Sequence, residues 1–507
     1  MILDFITNAL SSPQLIIALI LLLSYALLEP LMHHKVPIDV KGPTRWPIVG
    51  QMPWFISFAR AGKTPDLFAY LYKKYGSFCV FPLFMEEAVV VTDAAECKRI
   101  LESPDFVRDD NFEKRAAGVL DHALFTIPSG EKWKKHRKFL QPAFGPGYLR
   151  HTAEVAKSLV DVVANDFRKQ LMSSKQIEVD INGYFTALAM DLIGKIAFSF
   201  AFDSIQAIGT QDYQIERDNI NKLIKINAQR LGLPPLFWTF LGIGSKSPAV
   251  VREASFLKHR MTAIINEHKL ALQNGRTEKT NWDMDVLDRL LKGNAVPGQE
   301  KFTHDEIIGE LVGFFLAGNE TTANTMTFMT LELCKNPDIM KKLVAEIDKV
   351  YEELNGDITP ENLHQFKYLD CVFRETQRYH PVVPLLAKTS TMPVTVMGHD
   401  VAENTRCFLN IQQLHLSDKY WDNPDVFDPE RMTTPEKIVP GSFLPFGLGP
   451  HACIGLKLAT IEAKCVLIHM LRQFSISMVP DQKIDKCGAT TQSLRYGLRV
   501  HVTERNI

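Results

Sequence analysis

The pattern of hydrophobic positions is densest at residues 307–316, where apolar side chains occupy nearly every side of a helix. A capping box, Thr303-x-x-Glu306, predicts the start of this helix, and Pro337 predicts its end. These signals predict a helix of about thirty residues, on the order of 45 Å long, enough to cross a whole domain. Because apolar residues surround its first half, we expect it to be buried on all sides.

A second helical pattern follows Cys453, with apolar residues at three- and four-residue spacings. These residues are Leu458, Ile461, Cys465, Ile468 and Leu471. Strand signals are sparser: residues 89–91 are a run of valines, and residues 498–502 show strand-like alternation. The patterns therefore favour a helix-rich chain with a smaller amount of β-structure.

The N-terminus carries another long apolar stretch, from Ala9 to Leu28. About twenty residues are needed to span a bilayer, so we expect residues 1–30 to form a membrane anchor. No lysine or arginine precedes the stretch, whereas Lys35, Lys41 and Arg45 follow it, which predicts a chain whose body faces the cytosol. The missing basic start also disfavours a cleaved signal peptide and mitochondrial targeting.

Three prolines follow the predicted anchor, namely Pro37, Pro43 and Pro47. They are spaced too closely for helix or sheet and suit a stiff connector, so we expect residues 31–50 to form a proline-rich hinge. No repeat, low-complexity tract or Gly/Ser linker divides the remainder, and we expect residues 51–507 to form one domain.

Composition mainly excludes functions. The chain has 57 basic and 58 acidic residues and a net charge of −1, which gives no general attraction to nucleic acid. Its eight cysteines include no C-x-x-C pair, which argues against a zinc site and agrees with a reducing compartment.

One cysteine, Cys453, lies in a glycine-rich turn at residues 446–455 that runs directly into the second predicted helix. The N–H groups and the helix dipole at such a position stabilise a thiolate. Gly447, Gly449 and Gly455 let the main chain come close to the sulfur. Haem iron needs one axial protein ligand and leaves its opposite face open, so a lone thiolate suits haem better than zinc.

A polar cluster, Ala-Gly-Asn-Glu-Thr-Thr at residues 317–322, occupies the middle of the long apolar helix. Burying such a cluster is costly unless it has partners or a function. One interpretation is that Thr321 and Thr322 bond to carbonyls one turn earlier and only bend the helix. The other is that Gly318 and Glu320 mark a helix opened to admit oxygen and water.

The turn around Cys453 resembles the haem-binding pattern of the cytochrome P450 superfamily, F-x-x-G-x-[RH]-x-C-x-G. Its fixed positions are all present, as Phe446, Gly449, His451, Cys453 and Gly455. The resemblance implies haem b (iron protoporphyrin IX) with Cys453 as the axial ligand of the iron. It also assigns Glu320 and Thr321 to the acid-alcohol pair that delivers protons to dioxygen.

Two further motifs match the family. Glu375-x-x-Arg378 places an acid and a base on one helical face. Arg431, in Phe-Asp-Pro-Glu-Arg, resembles the arginine that completes a buried three-residue network with such a pair. A network of this kind is better evidence for fixing the fold around the haem than for net stability.

The resemblance also assigns groups to the haem propionates. Trp133-x-x-x-Arg137 matches the helix that contacts one propionate, and His451 matches the region of the other. A cation beside a carboxylate is the expected chemistry. Many relatives have arginine at or near Lys388, and whether this lysine contacts a propionate stays open.

The implied fold is mainly α with small β-sheets, and its haem lies between the long oxygen helix and the helix after the cysteine turn. The implied protein is a microsomal monooxygenase at the endoplasmic reticulum that hydroxylates or epoxidises a lipophilic steroid, fatty acid, terpenoid or xenobiotic. Electrons come from NADPH through NADPH-cytochrome P450 reductase, with cytochrome b5 as a further donor. Two alternatives are a haem-thiolate isomerase or dehydratase that works without dioxygen, and a non-enzymatic haem-binding sensor.

Basic residues crowd the tryptophan helix, and charge alone favours a solvated face there. They are Lys132, Lys134, Lys135, His136, Arg137 and Lys138. The resemblance places this helix on the cysteine side of the haem, where an acidic electron donor docks. Apolar-rich segments that fit a lipophilic substrate, or equally a plain core, are residues 112–124, 231–240, 315–322, 382–386 and 492–494.

Overall fold

The computed structural model describes residues 34–46, 49–83, 86–108, 110–230, 241–274, 284–293, 301–488 and 490–506, and singly Ile20, Leu23 and Trp238. Apart from Ile20 and Leu23, the predicted anchor lies outside the described residues, as does most of the predicted pocket wall at residues 231–240. Among the residues that are described, no helix is both long enough and apolar enough to cross a membrane.

The described chain is mainly helical. Its α-helices, in chain order, are α1 (Met52–Ala61), α2 (Thr64–Tyr75), α3 (Ala94–Glu102), α4 (Asp110–Ala116), α5 (Glu131–Leu140), α6 (Pro146–Leu171), α7 (Ile181–Phe198), α8 (Gln211–Arg230), α9 (Pro248–Gln273), α10 (Val286–Gly293), α11 (His304–Lys335), α12 (Pro337–Glu353), α13 (Lys367–Tyr379), α14 (Ile411–His415) and α15 (Leu456–Gln473).

Short strands form small sheets beside the helices. In chain order, the strands are β1 (Phe78–Leu83), β2 (Glu86–Val91), β3 (Phe106–Val107), β4 (Ile177–Asp180), β5 (Leu386–Ser390), β6 (Val394–Val396), β7 (His399–Val401), β8 (Arg406–Leu409), β9 (Phe474–Met478), β10 (Lys486–Gly488), β11 (Gln492–Leu494) and β12 (Arg499–Glu504). One sheet has the order β1-β2-β8-β5-β3, another β4-β12-β9, and β6-β7 and β10-β11 form pairs. Both predicted strand regions are confirmed, as β2 and β12.

The long central helix agrees with its prediction. Helix α11 has 32 residues, and the Thr303 hydroxyl and the Glu306 carboxylate each accept the other residue's backbone N–H. The helix ends at Lys335, before Pro337. It packs against α7, α9, α12, α13 and α15, and most of its residues are buried. The expected burial on all sides is only partly correct, because Ala317 is exposed and Gly318, Glu320 and Thr321 are half-buried.

Two glycines let a loop approach α11 closely. A Cβ added at Gly309 would lie 2.0 Å from the carbonyl oxygen of Asp121, and one added at Gly313 would lie 2.7 Å from Cβ of Ala123. These distances are shorter than any real contact, so a side chain at either glycine would push the loop away. Residues 121–125, in front of the tryptophan helix α5, are thereby held against the first half of α11.

The described part of the predicted hinge folds onto the five-stranded sheet. Val36 and Val40 are buried in the core beside that sheet. The backbone N–H of Val36 donates to Glu87 (3.0 Å), and the Arg45 guanidinium lies 3.1 Å from the same carboxylate. A Cβ at Gly42 would lie 2.3 Å from the carbonyl oxygen of Val80. Residues 34–46 are therefore attached to the domain by packing and by an ion pair.

Candidate functional site

The predicted cysteine turn is a tight loop between α3 and α15. The N–H of Cys453 donates to the carbonyl of Phe446 (2.9 Å), which closes the turn. Gly447 and Gly449 have φ values of 68° and 72°, a region that disfavours side chains. A Cβ at Gly449 would also lie 2.4 Å from the carbonyl oxygen of Leu101, at the end of α3. Glycine at this position is thus required by both conformation and packing.

The sulfur of Cys453 differs from the other thiols. Five cysteines are buried and two are half-buried, whereas the side chain of Cys453 is exposed. Burial by the protein around the turn raises the pKa of this thiol, and the backbone N–H of Gly455 and the charge of Arg137 act in the opposite direction. Gly455 is the N-cap of α15, so the sulfur lies at the helix N-terminus with one side open for a ligand.

The remaining cysteines do not belong to a metal-binding cluster in the described part of the chain. Among the residues that the structure describes, no group of three or more His, Cys, Asp or Glu side chains is arranged to hold a metal ion. All eight cysteines are free thiols.

Aromatic and basic side chains gather beside the cysteine turn. The Trp133 and His451 rings stack with their centroids 4.1 Å apart. The His451 ring nitrogens lie 3.0 Å from the Ser129 hydroxyl and 3.1 Å from Nζ of Lys388. Arg137 donates to the carbonyl of Ala452 (3.1 Å). The predicted propionate residues are thus brought together, and Lys388 joins them.

Arg108 completes this group and was not predicted from the sequence. It follows the two-residue strand β3, and its guanidinium donates to the carbonyls of Leu124 (2.9 Å) and Ile127 (3.3 Å). Burial and then the charge of Arg137 lower the pKa of Arg108 to about 10. A two-residue strand followed by a single arginine has no motif that would have indicated this role.

The group of cations lacks a balancing acid. Burial and then Arg108 lower the pKa of Lys388 to about 8. Burial and then Lys388, Arg108 and Arg137 lower the pKa of His451 to about 3. A nearby carboxylate would act in the other direction, and among the described residues none does so for these groups. The donor set therefore fits a ligand with carboxylates, such as a haem with two propionates.

Only one of the two threonines in the polar cluster of α11 bonds back to its own helix. The hydroxyl of Thr321 bonds back to the carbonyl of Ala317 (2.7 Å), whereas that of Thr322 donates to Glu462 of α15 (3.2 Å). Helix α11 continues through these residues, with Ala317 exposed and Gly318 half-buried. A Cβ at Gly318 would lie 3.0 Å from Cδ1 of Ile193, so this glycine serves the packing of α11 against α7.

Two carboxyl groups flank this cluster. Glu320 accepts a hydrogen bond from the Thr491 hydroxyl (2.7 Å); burial raises its pKa and this bond lowers it. On the opposite side, burial raises the pKa of Glu462 to about 8. The acid and the alcohol proposed for proton delivery are thus adjacent in α11, and each is held by one hydrogen bond.

The three-residue network forms as the sequence predicts. Arg378 donates twice to Glu375, at 2.8 Å and 2.7 Å, and Arg431 donates to the same carboxylate at 3.1 Å. Glu375 and Arg378 are fully buried. Arg378 also donates to the carbonyls of His415, Pro424 and Val426, so the network fixes the chain that leads towards the cysteine turn.

Comparison with known families decides the identity. The family model of cytochrome P450 matches residues 40–498. The chain belongs to the cytochrome P450 family. It is accordingly an oxidoreductase of the monooxygenase type, with the P450 fold and a haem cofactor.

Relatives of this cytochrome P450 cover most of its length. Putative cytochrome P450 CYP13A3 of Caenorhabditis elegans is 28% identical over 86% of this chain and 88% of its own. Cytochrome P450 3A12 of Canis lupus familiaris is 27% identical over 93% and 91%. Human cytochrome P450 3A7 is 26% identical over 95% and 94%.

The basic residues of helix α5 in this P450 do not all lie on one exposed face, whereas the charge run alone suggests that they do. Lys134 and Lys138 are exposed and line a surface groove of about 510 Å³ together with Trp133, Arg137, Gln141 and Pro142. Lys132 lies 3.3 Å from Glu306 of α11. His136 does not belong to the surface set, because it is fully buried and lies 2.6 Å from Glu310.

Proposed function

We propose that Cys453 is the axial thiolate ligand of haem b and that the protein inserts one atom of dioxygen into a lipophilic small molecule. The substrate class is a steroid, fatty acid, terpenoid or xenobiotic, and the reaction is a hydroxylation or an epoxidation. Electrons come from NADPH through NADPH-cytochrome P450 reductase, with cytochrome b5 as a further donor.

One observation carries this proposal: an exposed thiol at a helix N-terminus lies beside a group of basic and aromatic side chains in which no carboxylate of the described residues takes part. The thiol offers a ligand to iron, and Trp133, Arg137, Lys388 and His451 offer donors to propionates. Arg108 is a fifth donor for the propionates, because it too is a cation without a neighbouring carboxylate among the described residues. The combination of a thiol with carboxylate-binding cations suits an iron porphyrin better than a free metal ion.

The bound haem would supply the activation of dioxygen. The protein's part is to hold and move protons near that reaction. We assign this to Glu320, whose carboxylate is half-buried, and to Thr321, whose hydroxyl lies one residue further along α11. Phe446, Gly449 and Gly455 shape the turn that presents the sulfur.

Hydrogen bonds connect several of the predicted pocket walls that are described to neighbouring elements. Gln492 donates its backbone N–H to Val382 (2.8 Å), so the turn before β11 lies against the 382–386 segment. Leu124 donates to Glu310, which brings the loop before α5 to the helix. Arg230, at the end of α8, donates to the carbonyls of Arg115 and Ala117. These walls are rich in apolar residues, which supports a lipophilic substrate.

We further propose an arrangement at the endoplasmic reticulum. Residues 1–30 form a single N-terminal anchor, residues 31–50 a proline-rich hinge, and residues 51–507 the haem-thiolate catalytic domain facing the cytosol. The apolar stretch and the basic residues that follow it support this. The reductase docks at the groove beside Lys134 and Lys138, whose positive charge suits an acidic partner.

The two alternatives make different demands on α11. An isomerase or dehydratase that works without dioxygen has no need of an acid-alcohol pair, and a haem-binding sensor needs neither member. The retained Glu320 and Thr321, and the bond that holds Glu320, favour the monooxygenase.

Membranes containing the protein and a reductase test this function when incubated with a lipid panel under labelled dioxygen. We expect labelled oxygen in at least one product, and a thiolate-type carbon monoxide spectrum that Cys453→Ala abolishes and the control Cys487→Ser retains. Product without labelled oxygen would favour the isomerase, and a retained spectrum in Cys453→Ala would exclude Cys453 as the ligand.

A further inference from the structure

Thr491 reaches the acid of the oxygen helix from a distant part of the chain. Its hydroxyl donates to Oε1 of Glu320 at 2.7 Å, across a separation of 171 residues. Thr491 lies in the turn between β10 and β11, the hairpin next to the proposed substrate wall at residues 382–386. One hydrogen bond therefore joins the proposed proton-delivery acid, Glu320, to a hairpin beside the proposed substrate wall.

The turn that carries Thr491 is anchored at both ends. Gly488 donates its N–H to Gly62 (2.8 Å), and Gln492 donates its N–H to Val382 (2.8 Å). The Gln492 side chain, which is buried, donates to Pro381 (3.0 Å) and to Gln412 (2.6 Å). Because the backbone on either side is fixed, the Thr491 hydroxyl is presented to Glu320 from a defined position.

The packing of the turn also depends on glycine. Gly488 has a φ of 155°, and a Cβ there would lie 1.8 Å from the carbonyl oxygen of Thr491. A side chain at residue 488 would displace the carbonyl and the threonine with it. The sequence thus provides a glycine where the approach of Thr491 requires one.

Few groups other than Thr491 contact the carboxylate of Glu320 in the described part of the chain. Among the residues that the structure describes, it has no ion-pair partner, and burial and the Thr491 bond are the two effects on its pKa. Its neighbour Thr321 bonds to Ala317 instead. Since Thr491 occupies Oε1, the second oxygen, Oε2, is left to exchange a proton.

We infer that Thr491 is a positioning residue for Glu320, holding the carboxyl group by Oε1 so that Oε2 serves proton delivery. This inference rests on the proposed oxygen-activating function of Glu320. It makes the β10–β11 turn part of the proton machinery: a substrate that shifts the turn also shifts the acid. The residue touches Glu320 rather than the reacting atoms, so its effect is on orientation.

The test compares Thr491→Val, which keeps the shape and removes the hydroxyl, with Thr491→Ser, which restores the donor. Thr490→Val, at an exposed position in the same turn, is the matched control. In the holoenzyme with reductase, we expect Thr491→Val to raise hydrogen peroxide released per NADPH oxidised by about tenfold, the effect of losing one hydrogen bond to a charged group. The serine variant and the control should behave as wild type.

A second readout does not depend on turnover. Infrared titration of the protonated carboxyl band, assigned by its loss in Glu320→Gln, follows Glu320 directly. Because the Thr491 bond lowers the pKa of this carboxyl, we expect the pKa to rise in Thr491→Val and to return in Thr491→Ser.

The outcomes separate this inference from the proposed function. An unchanged titration and peroxide ratio in Thr491→Val, or an equal change in Thr490→Val, would overturn the positioning role. If no variant or wild type forms oxygenated product but the titration still shifts in Thr491→Val, the hold on Glu320 stands and the monooxygenase proposal fails.

Discussion

Nδ1 of His136 lies 2.6 Å from Oε1 of Glu310, and both side chains are buried. This pair joins the basic helix α5 to the oxygen helix α11. The other oxygen of Glu310 accepts the N–H of Leu124 (3.1 Å), in the loop that Gly309 and Gly313 admit to the helix surface. The proposed electron-donor side and the substrate side of the protein therefore meet at one carboxyl group.

His136→Ala should destabilise the protein strongly, because it leaves the Glu310 carboxyl buried without its partner. Breaking a buried pair in this way costs about 3–5 kcal/mol. Guanidinium unfolding, followed by circular dichroism, measures the difference. The control is Glu131→Gln, which removes the exposed pair with Lys134 at the start of the same helix and should have almost no effect. Equal stability of the two variants would contradict this account of the pair.

Arg108→Ala should weaken haem retention, because it removes a half-buried cation from the group beside the cysteine turn. We expect haem transfer to apomyoglobin to be about tenfold faster, the effect of losing one hydrogen bond to a carboxylate. Arg99→Ala is a suitable control, since Arg99 pairs with Glu96 on the surface of α3. Haem loss at the wild-type rate in Arg108→Ala would remove this residue from the proposed propionate site.

How far the sequence predicts this molecule depends on the distance between the interacting residues. The ends of α11 are predictable because Thr303, Glu306 and Pro337 act within one turn of them. Arg108 has no such local signature, because it becomes significant only when folding places it near Arg137 and Lys388. Packing between distant parts of the chain creates this contact, and no local pattern in the sequence indicates it.

His136 is a different case, since a local signal was present. It lies three residues after Trp133 and four before Leu140, and all three are buried on one face of α5. The charge run drew attention to the surface, whereas helical periodicity places this histidine inside. Its partner Glu310 is 174 residues away, so the pair itself was not predictable.

Thr321→Ala should leave haem binding intact and uncouple dioxygen consumption from product formation. Among the described residues, the Thr321 hydroxyl donates only to the Ala317 carbonyl of the same helix, so its removal should not destabilise the fold. The substitution does remove the alcohol next to Glu320. General acid-base groups contribute about 100-fold or more, and we expect product per NADPH to fall by at least tenfold. Thr325→Ala removes the same kind of back-bond one turn later and should retain coupling. Normal coupling in Thr321→Ala would rule out a role for this hydroxyl in proton delivery.

Charge reversal at the groove of α5 should slow reduction by the reductase. Lys134→Glu with Lys138→Glu changes two exposed lysines and leaves Arg137 in place. We expect stopped-flow reduction to be about tenfold slower at low salt, with the difference shrinking as salt screens the charges. Lys269→Glu, an exposed lysine on α9, is the control. A reduction rate equal to that of wild type at low salt would place the docking site elsewhere.

Glu462 should give the protein a pH-dependent stability. Burial raises the pKa of this carboxyl from 4.5 to about 8 in the folded protein. Between these values the folded state binds the proton and the unfolded state does not, so the free energy of unfolding falls as the pH rises through this window. Glu462→Gln keeps a partner for Thr322 and cannot ionise, so it should lose less stability between pH 5 and 8. Thermal midpoints at matched pH values measure this, and parallel pH profiles of the two proteins would show that Glu462 does not take up a proton on folding.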